Sequence, residues 1–213
     1  MIAGAVASAA RSSVRVRHSP IVSLPYGPPV FYGVLLAIWL LDERRTRSRP
    51  ARQGEVERDE GTKTGIRMWG FLGIVAAIAV AYAVPQATLP IPASVALFAG
   101  AGLQCAAYAV VEWTTRILGH LYRPIVAVQR DHRVIATGPY RLVRHPMYAA
   151  GLLTDLGICL ALANAFSFAV LLPASAYAYA RRIDAEERLL AEQLGDEYRD
   201  YVRSTKRLIP FVW

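Results

Sequence analysis

The chain has 213 residues, of which 54% are hydrophobic and 19% are charged, and its formal net charge is +8. So large an apolar fraction exceeds what a soluble domain of this length can cover with polar surface, which argues against a soluble protein. The basic residues are scattered between apolar segments, so no nucleic-acid partner is expected.

Five apolar runs contribute most of this hydrophobicity. They cover residues 21–41, 68–89, 92–111, 147–163 and 165–180, and each is near the ~20 residues that a helix needs to cross a bilayer. We therefore expect an all-α, multi-pass integral membrane protein with about five transmembrane helices. The chain should form a single domain over residues 1–213, with residues 1–20 as a loosely ordered tail.

The distribution of basic residues predicts the orientation of these helices. Of the 24 lysines and arginines, 21 lie in residues 42–67, 112–146 and 181–213, whereas the turns after the second and fourth runs carry none. Because basic loops stay on the cytoplasmic side, the three basic segments are expected in the cytoplasm and the two turns outside. The same residues would contact the anionic headgroups of membrane lipids.

Short connections and small residues predict how the helices pack. The turns VPQATLPIP and ANAFS are brief, so the second and third runs, and the fourth and fifth, should form antiparallel hairpins. Gly100 and Gly102 should allow another helix to approach the third run closely. Cys105 and Cys159 lie inside apolar runs without the spacing of a zinc site, so we expect no metal.

Between the helices, residues 42–67 read as a solvated loop, and the β-branched residues within 112–146 allow a brief extended segment. At the end of this second segment, the sequence Arg144-His145-Pro146-Met147-Tyr148 opens the fourth run. Because proline favours the first position of a helix, His145 is expected at the N-cap of the fourth helix. The free amides of that turn, together with Arg144, would suit a carboxylate or a phosphate.

A second charged group follows the fifth run. Arg182 and Glu186 are four residues apart on an expected cytoplasmic C-terminal helix, so they share a face, and Glu187 lies beside them. This group falls on the same side of the membrane as the histidine motif. Two polar clusters that converge at the mouth of a helical bundle indicate a binding site.

Together, the stretches GPYRLVRHPMYAAG and RIDAEERLLAEQLGDEYRDYVRSTKRLIP resemble the isoprenylcysteine carboxyl methyltransferase family of integral-membrane methyltransferases. The resemblance covers residues 112–213, a methyltransferase-like catalytic part, whereas residues 21–111 supply the first three spans. One departure is Gly151, which lies one position later than the glycine that follows the tyrosine in the family.

The resemblance implies that S-adenosylmethionine binds in a loop at the cytoplasmic face, without a glycine-rich Rossmann turn. Arg182 would face the substrate. The residues implied to line the cofactor pocket are Gln129, His132, Arg133, Val134, Ile135, Tyr140, Arg144, His145, Pro146, Met147, Tyr148 and Glu186.

The chemistry of methyl transfer assigns the remaining roles. The cofactor's sulfonium carries an activated methyl group, so the protein has mainly to align a nucleophile and exclude water. A carboxylate acceptor would need only a cation such as Arg182, whereas a thiol or an amine would first lose a proton to Glu186 or Glu187. Asp155, about two turns inside the fourth run, is either a packing residue or a substrate-facing carboxylate.

Three interpretations remain open for the whole chain. As a methyltransferase, it would act on a lipophilic or lipid-modified acceptor: an isoprenylcysteine-type carboxylate, a phospholipid amine or a small thiol. The alternative enzyme class is a membrane NADPH-dependent sterol or enone reductase, which would need a basic pocket for the 2′-phosphate; the contiguous Arg-His-Pro-Met-Tyr motif favours the methyltransferase. A membrane scaffold would not need the intact Arg182 or the paired glutamates.

Cysteine substitutions at Ser48 and Ser94 test the predicted topology, in a chain whose Cys105 and Cys159 are replaced by alanine. Ser48 lies in a basic segment and Ser94 lies next to a turn without basic residues, so they should lie on opposite sides of the membrane. A membrane-impermeant maleimide should therefore label them from opposite sides of sealed vesicles. Labelling of both from the same side would contradict the predicted topology.

Overall fold

The computed structural model describes residues 23–47, 56–57, 62–122, 127–128 and 133–209. Among these residues the regular secondary structure is helical apart from one short strand pair, which agrees with the predicted all-α class. The helices are α1 (Gly27–Arg47), α2 (Thr62–Ala83), α3 (Ala93–Leu118), α4 (Pro146–Leu162), α5 (Ala165–Leu194) and α6 (Asp196–Ser204).

Short elements join these helices. Single 3-10 turns cover Pro85–Ala87, Gly119–Leu121 and Gly138–Arg141. Strand β1 (Val56–Glu57) pairs in antiparallel fashion with strand β2 (Ala127–Val128). The second strand lies in the segment for which a brief extended stretch is predicted, but its partner in the 42–67 loop was not anticipated.

Two of the described helices are long and apolar enough to cross a membrane, namely Thr64–Ala83 and Ala93–Leu121, while the apolar helix Pro146–Leu162 is shorter. Only 17% of the first apolar window and 28% of the second are buried inside the protein. A core helix of a soluble protein would be mostly buried, so this exposure is typical of helices in contact with lipid. The count of five spans stays a prediction.

Large apolar side chains point outward around the bundle. Leu36 and Trp39 on α1, Phe71 on α2, Phe98 on α3 and Tyr177 on α5 are all exposed. Water would disfavour so many exposed side chains of this kind, whereas hydrocarbon would solvate them.

The helix pairing differs from the predicted pair of hairpins. α4 packs against α5 as expected, but within the described residues α3 packs chiefly against α4, and α2 against α5. The hairpin contact predicted between the second and third runs is therefore wrong. The physical reason is close packing elsewhere: Gly73 of α2 lies so near α5 that a Cβ there would be 3.0 Å from Leu171 Cδ1.

Glycine accounts for the tightest helix contact. A Cβ on Gly100 of α3 would lie 2.5 Å from the carbonyl oxygen of Gly157 on α4, and one on Gly157 would lie 2.7 Å from the carbonyl oxygen of Gly100. The prediction for Gly100 is thus confirmed. The prediction for Gly102 is wrong, because nothing lies within 4 Å of its added Cβ.

The two short turns lie together at one end of the bundle. The amide of Leu89 donates to the carbonyl of Ala163 at 2.7 Å, and Asn164 Nδ2 donates to the carbonyl of Val84 at 2.9 Å. α4 runs from this end to His145, so the charged motifs lie at the opposite end. The two turns thus lie at one end of the bundle and the two charged motifs lie at the other. This placement agrees with the predicted arrangement along the bundle axis.

Replacing Gly100 by valine should destabilise the protein by roughly 1–3 kcal/mol, because the added atoms overlap backbone atoms of α4 that cannot move away cheaply. Thermal unfolding in detergent would measure the loss. The matched control is Gly102→Ala, which should leave the unfolding temperature unchanged or raise it slightly, since it meets open space in a helix. Equal effects of the two substitutions would refute this account of the packing.

Candidate functional site

The start of α4 forms the first half of the site. Pro146 is the first helical residue and His145 is the N-cap, as predicted. The preceding backbone is held by the C-terminal segment: the amide of Arg144 donates to the carbonyl of Lys206 at 2.7 Å, and that of His145 to the carbonyl of Arg207 at 3.0 Å. These two bonds join the start of α4 to the segment that follows α6.

Glu187 lies at the centre of an ion-pair cluster on α5. Its Oε1 accepts a hydrogen bond from Arg144 Nε at 3.1 Å and lies 3.0 Å from His145 Nε2, while its Oε2 accepts from Arg207 Nη2 at 2.5 Å. Arg144 donates further to the carbonyls of Val202 and Thr205. The side chains of Arg144 and His145 are buried, with 8% and 3% exposure, and that of Glu187 is 14% exposed.

The cluster determines the protonation of Glu187. Burial acts to raise its pKa, but hydrogen bonds from His145, Arg207 and Arg144 outweigh burial and lower the pKa to about 2. A carboxylate that binds protons so weakly, with both oxygens engaged, is badly suited to removing a proton from an acceptor. The geometry therefore disfavours Glu187 as a general base.

Tyr148 organises a second cluster next to the first. Its hydroxyl donates to Glu186 Oε2 at 2.7 Å and accepts a hydrogen bond from Arg182 Nε at 3.3 Å. Arg182 is only 5% exposed, so the same hydroxyl links a buried cation to a carboxylate one turn away on α5. Arg182 and Glu186 thus share a face, as their spacing predicts, and that face is directed toward the start of α4.

The segment before α4 brings Tyr140 to this cluster. Burial and the charge of Glu186 raise the pKa of Tyr140 well above its ordinary value, so its hydroxyl stays protonated. Its carbonyl accepts a hydrogen bond from the Tyr201 hydroxyl at 2.6 Å. Gly138 permits the turn, because it has a φ of +58° and an added Cβ would lie 2.1 Å from Ile117 Cδ1.

The other predicted site residues differ in burial, and two of them are not described by the structure. Gln129 and His132 lie outside the described residues. Arg133 is exposed, whereas Val134 and Ile135 are half-buried, and the amide of Val134 donates to Glu197 Oε1 at 3.2 Å. Pro146 is buried and Met147 half-buried at the start of α4, while Asp155 is buried deeper in that helix.

Sequence reasoning missed the part played by the C-terminal segment. Arg207 pairs with Glu187 and also with Asp184, at 3.3 Å, and Tyr201 holds the backbone of Tyr140. A weak signal was present, because Arg207 is a cation that follows a helix carrying four acidic residues between positions 184 and 192. Only the fold shows which of those carboxylates it reaches.

Metal ligation finds no support in the described part of the chain, which holds no group of three or more His, Cys, Asp or Glu side chains arranged to bind a metal ion. Cationic partners already surround Glu187, so a metal cation would face electrostatic repulsion there.

Part of the chain matches a known protein family. Residues 100–192 match the isoprenylcysteine carboxyl methyltransferase (ICMT) family. Arabidopsis thaliana protein-S-isoprenylcysteine O-methyltransferase B is 29% identical over 99 residues, which cover 44% of this chain and 49% of that protein. The cobalt-zinc-cadmium resistance protein CzcN of Cupriavidus metallidurans is 33% identical over 85 residues, covering 40% of this chain and 39% of that protein.

A solved structure shows a similar fold. The structure of the eukaryotic intramembrane Ras methyltransferase ICMT superposes with a TM-score of 0.55 at 20% sequence identity, over 68% of this chain and 52% of that one. The chain spans about half the length of the curated relatives that it matches. The predicted resemblance to the family is confirmed for residues 100–192.

Replacing Glu187 by glutamine should destabilise the protein by roughly 1–3 kcal/mol at neutral pH, because Arg144, Arg207 and His145 lose their shared carboxylate. The folded pKa is depressed, so the stabilisation is complete above the ordinary value of 4.5 and is lost as the pH falls through about 2. Thermal unfolding of both proteins between pH 7 and about pH 3 should therefore show a narrowing difference.

The control for this measurement is Asp200→Asn. Asp200 pairs with Arg203 at 2.9 Å on the exposed side of α6, where an ion pair contributes little. Its loss should leave stability almost unchanged at every pH. A Glu187→Gln protein as stable as the wild type at pH 7 would contradict the proposed role of the ion-pair cluster.

Proposed function

We propose that the chain is an integral-membrane methyltransferase, because residues 100–192 match the isoprenylcysteine carboxyl methyltransferase family. It would move a methyl group from S-adenosylmethionine to a lipophilic acceptor. The observation that carries the proposal is the Tyr148 hydroxyl, which joins Arg182 to Glu186 at the end of an apolar bundle. Charged groups for a polar cofactor and apolar surface for a lipophilic acceptor meet there.

The residues at the start of α4 fit the polar groups of S-adenosylmethionine. No described side chain caps this helix, because the imidazole of His145 is directed toward Glu187. The first-turn amides and the helix dipole therefore suit the cofactor's carboxylate. Glu186 and the Tyr140 hydroxyl offer partners for its ammonium and ribose hydroxyl groups.

The remaining pocket assignments follow the family motifs. We place Gln129, His132, Arg133, Val134 and Ile135 along the cofactor, together with Pro146, Met147 and Tyr148 at the start of α4. Arg144 and His145 shape the pocket through their bonds to Glu187. The pocket opens to the cytoplasm in the five-span topology, because basic segments 112–146 and 181–213 supply it.

When bound, S-adenosylmethionine supplies an activated methyl group on a sulfonium. The chain has to align the acceptor behind that group and exclude water. Arg182 is buried and presents a planar guanidinium, which is suited to orienting a carboxylate acceptor. For a thiol or an amine, Glu186 is the remaining candidate to accept a proton, since Glu187 is already bonded to Arg144, His145 and Arg207.

The identity of the acceptor lies beyond the family relationship. One relative is named for protein-S-isoprenylcysteine O-methylation and another for metal resistance, although each matches less than half of this chain. Sites grafted on one fold commonly serve different substrates. An isoprenylcysteine-type carboxylate, a phospholipid amine and a small thiol all remain within the proposal.

The alternative, an NADPH-dependent sterol or enone reductase, is not favoured by the family relationship. Such an enzyme needs arginines directed at a 2′-phosphate. In the described structure Arg144 and Arg207 already bond to the carboxylate of Glu187, which leaves their charges largely compensated.

Calorimetry on the detergent-purified chain tests the proposal. The wild type should bind S-adenosylhomocysteine and should not bind NADPH. Glu186→Gln should weaken S-adenosylhomocysteine binding by roughly 1–3 kcal/mol, because a charged hydrogen bond is lost. The reverse preference, for NADPH, would overturn the assignment.

Arg182→Lys separates the acceptor from the cofactor. It keeps the charge but loses the planar fork that holds a carboxylate through two bonds, so cofactor binding should persist while methyl transfer to a carboxylate falls. The panel of acceptors comprises a prenylcysteine, phosphatidylethanolamine and a thiol. If Arg182→Lys loses S-adenosylhomocysteine binding while Glu186→Gln keeps it, the two roles are reversed.

A further inference from the structure

A row of facing residues continues from the candidate site into the bundle, between α4 and α5. Along each helix these residues are spaced by three or four positions, which keeps them on one face. They are Tyr148, Gly151 and Asp155 on α4, and Arg182, Tyr179 and Ser175 on α5. We name this row the α4–α5 seam.

Contacts along the seam pair these residues in order. Tyr148 meets Arg182 at 3.3 Å. An added Cβ on Gly151 would lie 2.5 Å from the Tyr179 hydroxyl, and the Tyr148 and Tyr179 rings lie 5.7 Å apart. Because the helices are antiparallel, each step inward along α4 is matched by an equal step back along α5.

The seam ends at Asp155 and Ser175, which are 5% and 2% exposed. Ser175 lies within hydrogen-bonding reach of the Asp155 carboxyl group. Within the described part of the chain, however, Asp155 Oδ2 and Ser175 Oγ make no hydrogen bond of ordinary length and angle, either to each other or to another residue. Two polar atoms buried without well-formed hydrogen bonds inside an apolar bundle are costly, and such groups inside a membrane commonly mark a substrate path.

We propose that Asp155 and Ser175 bind a hydrogen-bond-donating group of the acceptor, a hydroxyl or an ammonium. Seven residues separate Asp155 from Tyr148 and Ser175 from Arg182, so this group lies about 10 Å along the helix axis from the methylated atom. This inference rests on the proposed methyl transfer and narrows its acceptor. An unsubstituted hydrocarbon chain would leave both polar atoms unsatisfied, whereas a hydroxyl or ammonium at that depth would satisfy them.

Two synthetic probes test the inference on the full chain in nanodiscs. One is S-decylcysteine, and the other is the same molecule with a hydroxyl on the decyl chain about 10 Å from the carboxylate. Competition and thermal-shift titrations give the affinity of each. The wild type should bind the hydroxylated probe about tenfold more tightly, the effect of one satisfied buried hydrogen bond.

Substitutions in the α4–α5 seam test whether the preference for the hydroxylated probe depends on the seam residues. Asp155→Leu and Ser175→Ala should each reduce the preference toward equality, and the use of two variants guards against one that fails to fold. The matched control is Leu156→Ala, next to Asp155 but on the exposed side of α4, which should keep the tenfold preference.

The outcomes distinguish this inference from the proposed function. Equal affinity of the two probes for the wild type, a preference that survives Asp155→Leu, or no binding of either probe would overturn the inference. S-adenosylhomocysteine binding is measured on the same samples. If the wild type also fails to bind S-adenosylhomocysteine, the proposed function fails; if it binds, only the role of Asp155 and Ser175 is rejected.

Discussion

The shared carboxylate of Glu187 is the interaction on which the arrangement of the site depends. It is bonded to Arg144 and His145 at the start of α4 and to Arg207 beyond α6, segments that are far apart in the sequence. Taking these charges out of water is costly, so each ion is stable there only while its partners remain. The cluster therefore holds the start of α4, helix α5 and the segment after α6 together. Glu186, one position earlier than Glu187, remains directed at Tyr148.

Helix α4 connects the ion-pair cluster to the opposite end of the bundle, and it is fixed at both of its ends. One end is held by the ion-pair cluster, and the other end is held by the turn in which Ala163 accepts a hydrogen bond from Leu89. Between the two ends, Gly157 brings the helix against α3. A helix fixed at both ends and packed through backbone contacts has little freedom to shift, which is what a site requiring sub-ångström alignment needs.

Much of this could be predicted from the sequence, because the strongest signals are local. Proline at position 146 and the charges after each apolar run placed the helix start, the shared face of Arg182 and Glu186, and the two ends of the bundle. Helix pairing could not be predicted in the same way. Gly100 and Gly102 look alike in sequence, and only the direction of the neighbouring helix distinguishes a contact residue from one facing open space.

The assignment of the two glutamates shows the same limit. Residues 186 and 187 are identical in type and adjacent, and local reasoning gives both as candidate bases. Hydrogen bonds from His145, Arg207 and Arg144 distinguish Glu187 and lower its pKa. The partner on its C-terminal side is Arg207, twenty residues further on in the sequence. A long-range ion pair of this kind leaves almost no local pattern, since either carboxylate could have met that cation.

Under the proposed function, the two ends of the α4–α5 seam would contact different parts of one acceptor. At the mouth, Arg182 and Glu186 lie on opposite sides of a tyrosine hydroxyl, an arrangement that favours a polar reacting group beside a charged cofactor. At the inner end, Asp155 Oδ2 and Ser175 Oγ make no well-formed hydrogen bond to the residues that the structure describes, and a hydrogen bond in such apolar surroundings discriminates strongly because no water competes. Selectivity for the acceptor is therefore better served by the buried end, while the charged end serves the chemistry that all acceptors would share.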